Sequence, residues 1–103
     1  MTINNLTHIQ KYAIISVLIN IMKADNVIHP KEIEFLNDIF IRFNITESEI
    51  DSIQSLDLHM DKSIIKAMDD DMKKDVVDLC IQMANCDGYA DPRELTIIEN
   101  LRN

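Results

Sequence analysis

Asn85-Cys86-Asp87-Gly88-Tyr89-Ala90-Asp91-Pro92-Arg93-Glu94 holds the only glycine of the chain and one of its two prolines. An apolar-periodic run leads into it, so a helix should close near Cys86 or Asp87. Gly88 then stands where a left-handed residue ends a helix. Asp91 is placed to cap the next helix. Pro92 follows at the first helical position, where its missing N–H costs nothing, and Glu94 comes three residues after the cap, as in a capping box. The stretch is a helix–turn–helix with both helix ends specified.

An earlier stretch repeats the plan. In Lys23-Ala24-Asp25-Asn26-Val27-Ile28-His29-Pro30-Lys31-Glu32, the residues Asp25, Pro30 and Glu32 precede Asp87, Pro92 and Glu94 by the same 62 positions. Asn26 replaces the glycine, and asparagine is the usual substitute where a left-handed residue is needed. His29 is a poorer cap than Asp91. The same spacing relates Leu18 to Cys80, Ile19 to Ile81, Ile33 to Leu95 and Leu36 to Ile98. Two helix pairs, neither able to bury its apolar face alone, should pack against each other about a pseudo-two-fold axis.

Working outward, a first helix should run from about Leu6 to Ala24, capped by Asn5 or Thr7. Ile9, Tyr12, Ile15, Leu18, Ile19 and Met22 form its stripe, and Ala13, Ile14, Val17 and Ile21 widen it until little polar face remains, as expected of a central, buried helix. A second helix should run from Pro30 to about Phe43 on a stripe of Ile33, Leu36, Phe40 and Phe43, with Ile39 beside it and Glu32, Glu34, Asp38 and Arg42 mostly off it; Asn44 should end it. Thr46-Glu47-Ser48-Glu49 is a capping box for a short helix ending near Leu56. Asp57 to Met60 reads as a turn, and Asp61 as the cap of another short helix carrying Ile64, Ile65 and Met68. Asp69-Asp70-Asp71 supplies an N-cap and acids at the positive end of the helix through Val76, Leu79, Cys80 and Met83. The last helix starts at Pro92 and carries Leu95, Ile98 and Leu101. Nothing alternates with period two, so no strands are expected. The fold class is all-α: a compact bundle of about five to six helices built from two duplicated helix–turn–helix units. One domain should span residues 1–103, with a first repeat over about 6–43, a connector over about 44–68 and a second repeat over about 69–103.

Composition narrows the function. Eighteen acidic residues against ten basic ones give a formal charge of −8. With no basic stripe, this excludes a phosphate-gripping surface, so nucleic acid is not an expected partner. Cys80 and Cys86 are too few for a disulfide framework and six residues apart on a helix, so reduced thiols are expected, consistent with a cytoplasmic location. The first residues lack the order of a secretory leader. The apolar run from Tyr12 to Met22 is too short to span a bilayer, so no membrane insertion is expected.

Ala24-Asp25-Asn26-Val27-Ile28 with Pro30 and Glu32, and Cys86-Asp87-Gly88-Tyr89-Ala90-Asp91-Pro92-Arg93-Glu94, resemble the paired A-D-G-x-x-x-x-E signatures of the TerB-like family. That family includes tellurite-resistance proteins and the N-terminal domain of a membrane-anchored DnaJ-type co-chaperone, and the resemblance covers nearly the whole chain. It implies an all-helical fold of duplicated helix pairs, a link to tellurite or general stress responses, and no defining enzymatic activity. It also implies a divalent cation at acids of the signatures, here Asp25 and Glu32 in one copy and Asp87 and Glu94 in the other. The chain departs from the pattern at Asn26, at His29 and in being shorter than many members.

The residues themselves leave three functions open. Asp25, Glu32, Asp87, Asp91 and Glu94 are oxygen donors of the kind that suits calcium, magnesium or manganese. Equally, the glutamates can only cap helices while the aspartates satisfy turn N–H groups. The turns are not EF-hand loops, which need acids at alternate positions. His8, His29 and His59 lack any metal-ligand spacing, which disfavours zinc. No nucleophile–base pair or phosphate-binding glycine loop is present, and Cys86 sits beside acids that blunt a thiolate. The leading expectation is a small interaction or sensor module, a monomer or weak dimer, that binds a protein partner with a possible divalent cation at the acidic turns. The alternatives are a metal-assisted hydrolase at the same acids and a purely structural interaction domain without metal.

Overall fold

The computed structural model describes residues 6–24, 29–54, 58–86 and 92–102. Six helices follow one another: α1 (His8–Lys23), α2 (Pro30–Arg42), α3 (Glu47–Gln54), α4 (Leu58–Lys66), α5 (Asp70–Asn85) and α6 (Pro92–Arg102). No strand occurs among the described residues.

The helix ends follow from local chemistry. Thr7 caps α1, its hydroxyl accepting from Gln10 N at 3.2 Å while its own N–H donates to Gln10 Oε1 at 3.0 Å. Asp69 caps α5 by accepting from Met72 N at 2.8 Å, and Asp70 and Asp71 follow at the positive end of that helix. Thr46 N donates to Glu49 Oε1 at 3.3 Å at the start of α3. Pro92 opens α6, and Cys86 closes α5. The positions expected to be left-handed in the two acidic turns, Asn26 and Gly88, lie outside the described residues, as do Asn5, Val27, Ile28, Leu56, Tyr89 and the cap Asp91.

Asn44 ends α2 in a form its side chain suits. It sits at φ 54°, in the left-handed region. Its N–H donates to Ile41 O at 3.2 Å and Ile45 N donates to Phe40 O at 2.9 Å, the two bonds of a Schellman closure.

Helix α1 is the axis of the bundle. It packs against each of the other five helices. Ala13 to Leu18 are all buried in succession, Ser16 among them, and Ile21 and Met22 continue the core. Burying one such Ile or Leu contributes roughly 1.5–3 kcal/mol. Only Ile9, at the first turn, departs from the expected stripe and lies exposed.

The two helix pairs take equivalent places. Helix α5 packs on α1, while α2 and α6 each pack on both. Residues 62 apart have matching environments: Ile14 and Val76, Val17 and Leu79, Leu18 and Cys80, Ile21 and Met83, Leu36 and Ile98, Ile39 and Leu101 are buried in both members. Ser16 breaks the match, being buried where Asp78 is exposed; α3 packs on α1 and not on α5. Helix α4 lies across the assembly, packed on α1, α5 and α6. The radius of gyration, 12.5 Å, is close to the roughly 13 Å of a compact 100-residue domain.

Three expectations are corrected. Residues 58–60 are the first turn of α4, not a turn before it, so Asp61 lies inside the helix and does not cap it. In α2 the inward stripe is Glu32, Leu36, Ile39 and Phe43, not the one led by Ile33, which is 45% exposed. In α6 it is Glu94, Ile98 and Leu101, and Leu95 is 43% exposed. Both stripes differ from expectation in the same way at their start, where a glutamate takes the first core-facing position in place of the apolar residue after it.

Candidate carboxylate site

Each acidic turn delivers a glutamate to the third residue of the helix that follows it. Glu32 is third in α2 and Glu94 third in α6. Both are only 1% exposed. His29 N donates to Glu32 Oε1 at 3.1 Å, and Glu32 N donates to His29 O at 3.0 Å. Glu32 therefore performs the glutamate half of a capping box from inside the protein.

Burial separates these glutamates from the other capping residues. Gln10 and Glu49 stand at the same position of α1 and α3, and both remain partly open to solvent. A capping bond thus does not require the carboxylate to be buried. Burying an ionised carboxylate costs several kcal/mol even after relaxation. A helix N-terminus offsets at most about 2 kcal/mol of it. The remainder has to come from hydrogen bonds or opposite charge supplied to the carboxylates, and both glutamates do make further polar or electrostatic interactions.

A third buried acid is one that the sequence presents as a helix cap. Asp61, in α4, has 0% exposure and also makes a further interaction. The signal was present: Asp61 stands four and seven residues before Ile65 and Met68, both buried, and so lies on the inward stripe of its own helix.

Asp25, Asp87 and Asp91 lie outside the described residues. Among the described residues no group of three or more His, Cys, Asp or Glu side chains converges so as to hold a metal ion. Helices α2 and α6 do not pack on each other, so the structure does not bring Glu32 and Glu94 together through those helices. Carboxylate oxygens of this kind fit calcium, magnesium or manganese.

Other chemistry finds little support among the described residues. Burial pushes the Cys80 thiol up to about 12, far from a reactive thiolate. Cys86 is half-buried at the end of α5, and neither cysteine is in a disulfide. A cavity of about 500 Å³ at the α2–α3 corner is lined by Phe40, Ile41, Asn44, Ile45 and Thr46. Another of about 290 Å³ lies along α5 beside Asp70, Lys73, Lys74, Val77 and Asp78. Neither is lined by Glu32, Asp61 or Glu94. No described helix is long and apolar enough to cross a membrane.

Comparison with known proteins gives one match. The family model described as "Tellurite resistance protein TerB" fits residues 11–103. Searches of curated proteins and of solved structures returned no match. The matched span contains both acidic turns and every helix but the first turn of α1. The chain belongs to the TerB family.

Proposed function

We propose that this chain is a small cytoplasmic binding module of the tellurite-resistance type, a monomer or weak dimer. It binds a divalent cation of the oxygen-preferring class at its acidic turns and engages a protein partner in a tellurite or general stress response. The ligands are Glu32 with Asp25 in the first copy, and Glu94 with Asp87 and Asp91 in the second. The observation that carries the proposal is the paired burial of Glu32 and Glu94, at equivalent positions and at the third residue of a helix. Glu49 makes its capping bonds while only half-buried, so capping does not by itself require full burial, and a cation adds opposite charge to the interactions that Glu32 and Glu94 already make. The second copy is the better site, since it has a third acid, Asp91, where the first has His29.

A thermal-shift series on the full chain tests this, with calcium, magnesium, manganese and zinc each compared with chelator. A ligand at a hundredfold excess over its Kd adds about 2.7 kcal/mol, a Tm rise on the order of 10 °C for a domain of this size. One of the first three ions should raise Tm, and Glu94→Gln should remove most of the response. If no ion moves Tm, the cation is not bound. Asp87→Asn isolates the capping alternative: lost stability with an unaltered metal response would assign the acids to capping alone.

A further inference from the structure

We propose that the α2–α3 corner is the docking surface for a basic amphipathic helix of a partner protein. The depression there is open to solvent and about 500 Å³ in volume. Phe40 and Ile45 are half-buried in its wall, and Ile41 stands 74% exposed at its rim. The repeat does not demand this apolar surface. The residues 62 positions after Phe40 and Ile41 are Arg102 and Asn103.

The corner is fixed before any partner arrives. The Schellman bonds hold Asn44 and Ile45, and Lys11 Nζ donates to Phe43 O at 3.3 Å. Tyr12 donates to Glu49 Oε2 at 2.6 Å, while the other oxygen of Glu49 holds Thr46. A groove whose backbone is already tied in this way loses little freedom on binding.

Charge selects the occupant. Glu34 and Asp38 are exposed on the face of α2 that carries Ile41, one or two turns before it, and Glu47 and Asp51 are exposed on α3. Arg42 is the exposed base beside Ile41. With a formal charge of −8 on each molecule, a second copy would be repelled. An amphipathic helix with large apolar residues on one face and Lys or Arg on its flanks matches both the apolar depression and the exposed acids of the two helices that flank it.

The inference rests on reading the chain as a protein-binding module and is independent of the cation. It is therefore tested in chelator, with the full chain and a fluorescein-labelled peptide carrying leucines on one helical face and lysines on the other. Fluorescence anisotropy should show saturable binding. Ile41→Asp should weaken it at least tenfold, although it makes the protein more acidic. The pair Asp38→Lys and Glu47→Lys should also weaken it, and a peptide with glutamates in place of the lysines should not bind. Binding that is unchanged or tighter with Ile41→Asp would mean attraction by charge alone and would overturn the proposal. Equal binding of the acidic peptide would overturn it too, as would a dimer of this chain that Ile41→Asp converts to monomer. Loss of this proposal would leave the metal response of Glu94 untouched, so the two readings fail separately.

Discussion

Asn44 carries a backbone conformation that few residues tolerate. At φ 54° an ordinary L-residue meets a cost of roughly 1–2 kcal/mol, which asparagine partly avoids and glycine avoids entirely. Asn44→Val should therefore lower the stability by about 1–2 kcal/mol, and Asn44→Gly should lie within a few tenths of the parent, both read from urea midpoints. Equal loss in both variants would mean that the side chain of Asn44, not its backbone, closes α2. A second residue-scale contact makes stability depend on pH. The Tyr12 hydroxyl, with help from Thr46 and His8, holds the Glu49 carboxyl below its usual 4.5, while donating that bond holds Tyr12 above 10.0. For Glu49 the depressed value means stability that is present above 4.5 and lost as pH falls through the folded value. For Tyr12 the raised value means stability present below 10.0 and lost as pH rises through the folded value. The Tm difference between the parent and Tyr12→Phe should thus be greatest near neutrality and shrink at both extremes. A difference that is flat with pH would show that the hydrogen bond contributes nothing the phenyl ring does not.

At the scale of the helix, the caps decide where structure begins. Asp69 bonds the N–H of Met72, and its loss in Asp69→Ala should cost about 1 kcal/mol of stability. The loss should appear in denaturant midpoints, with amide exchange rising first at residues 70–73. Because such caps are local, they were legible from sequence: Thr7, Thr46, Asp69 and Pro92 mark the starts of α1, α3, α5 and α6 as their chemistry predicts. The failures share another cause. Hydropathy assigns Ile33 and Leu95 to the core and Glu32 and Glu94 to solvent, and the structure reverses both pairs. Asp61 was misread for the same reason, since an acid before an apolar run resembles a cap. Each buried acid does stand at helical spacing from buried apolar residues of its own helix, Glu32 with Leu36 and Ile39, Asp61 with Ile65 and Met68, Glu94 with Ile98 and Leu101, but hydropathy alone sends a charged side chain outward. The site was therefore legible as a set of acids, but not as acids turned inward.

At the scale of the whole molecule, the two helix pairs meet where α1 packs on α5, with Leu18 and Cys80 at equivalent positions and both buried. Cys80 is in effect a reporter of that interface. Its thiol is pushed up to about 12 by desolvation, so alkylation at neutral pH requires the core to open, and its rate follows the population of the opened form. Cys86, half-buried at the end of α5, needs no such opening. Native protein treated with iodoacetamide should gain one label quickly at Cys86 and a second slowly at Cys80, resolved by mass spectrometry. Leu18→Ala should cost about 2–5 kcal/mol through the cavity it leaves. At about 1.4 kcal/mol per factor of ten, that loss should speed labelling of Cys80 by roughly 30- to 4,000-fold and leave Cys86 nearly unchanged. Should Cys80 react as fast as Cys86 in the parent chain, α1 and α5 would not be held together as a single core. The equivalence of the two helix pairs would then be a property of their sequences and not of a shared interior.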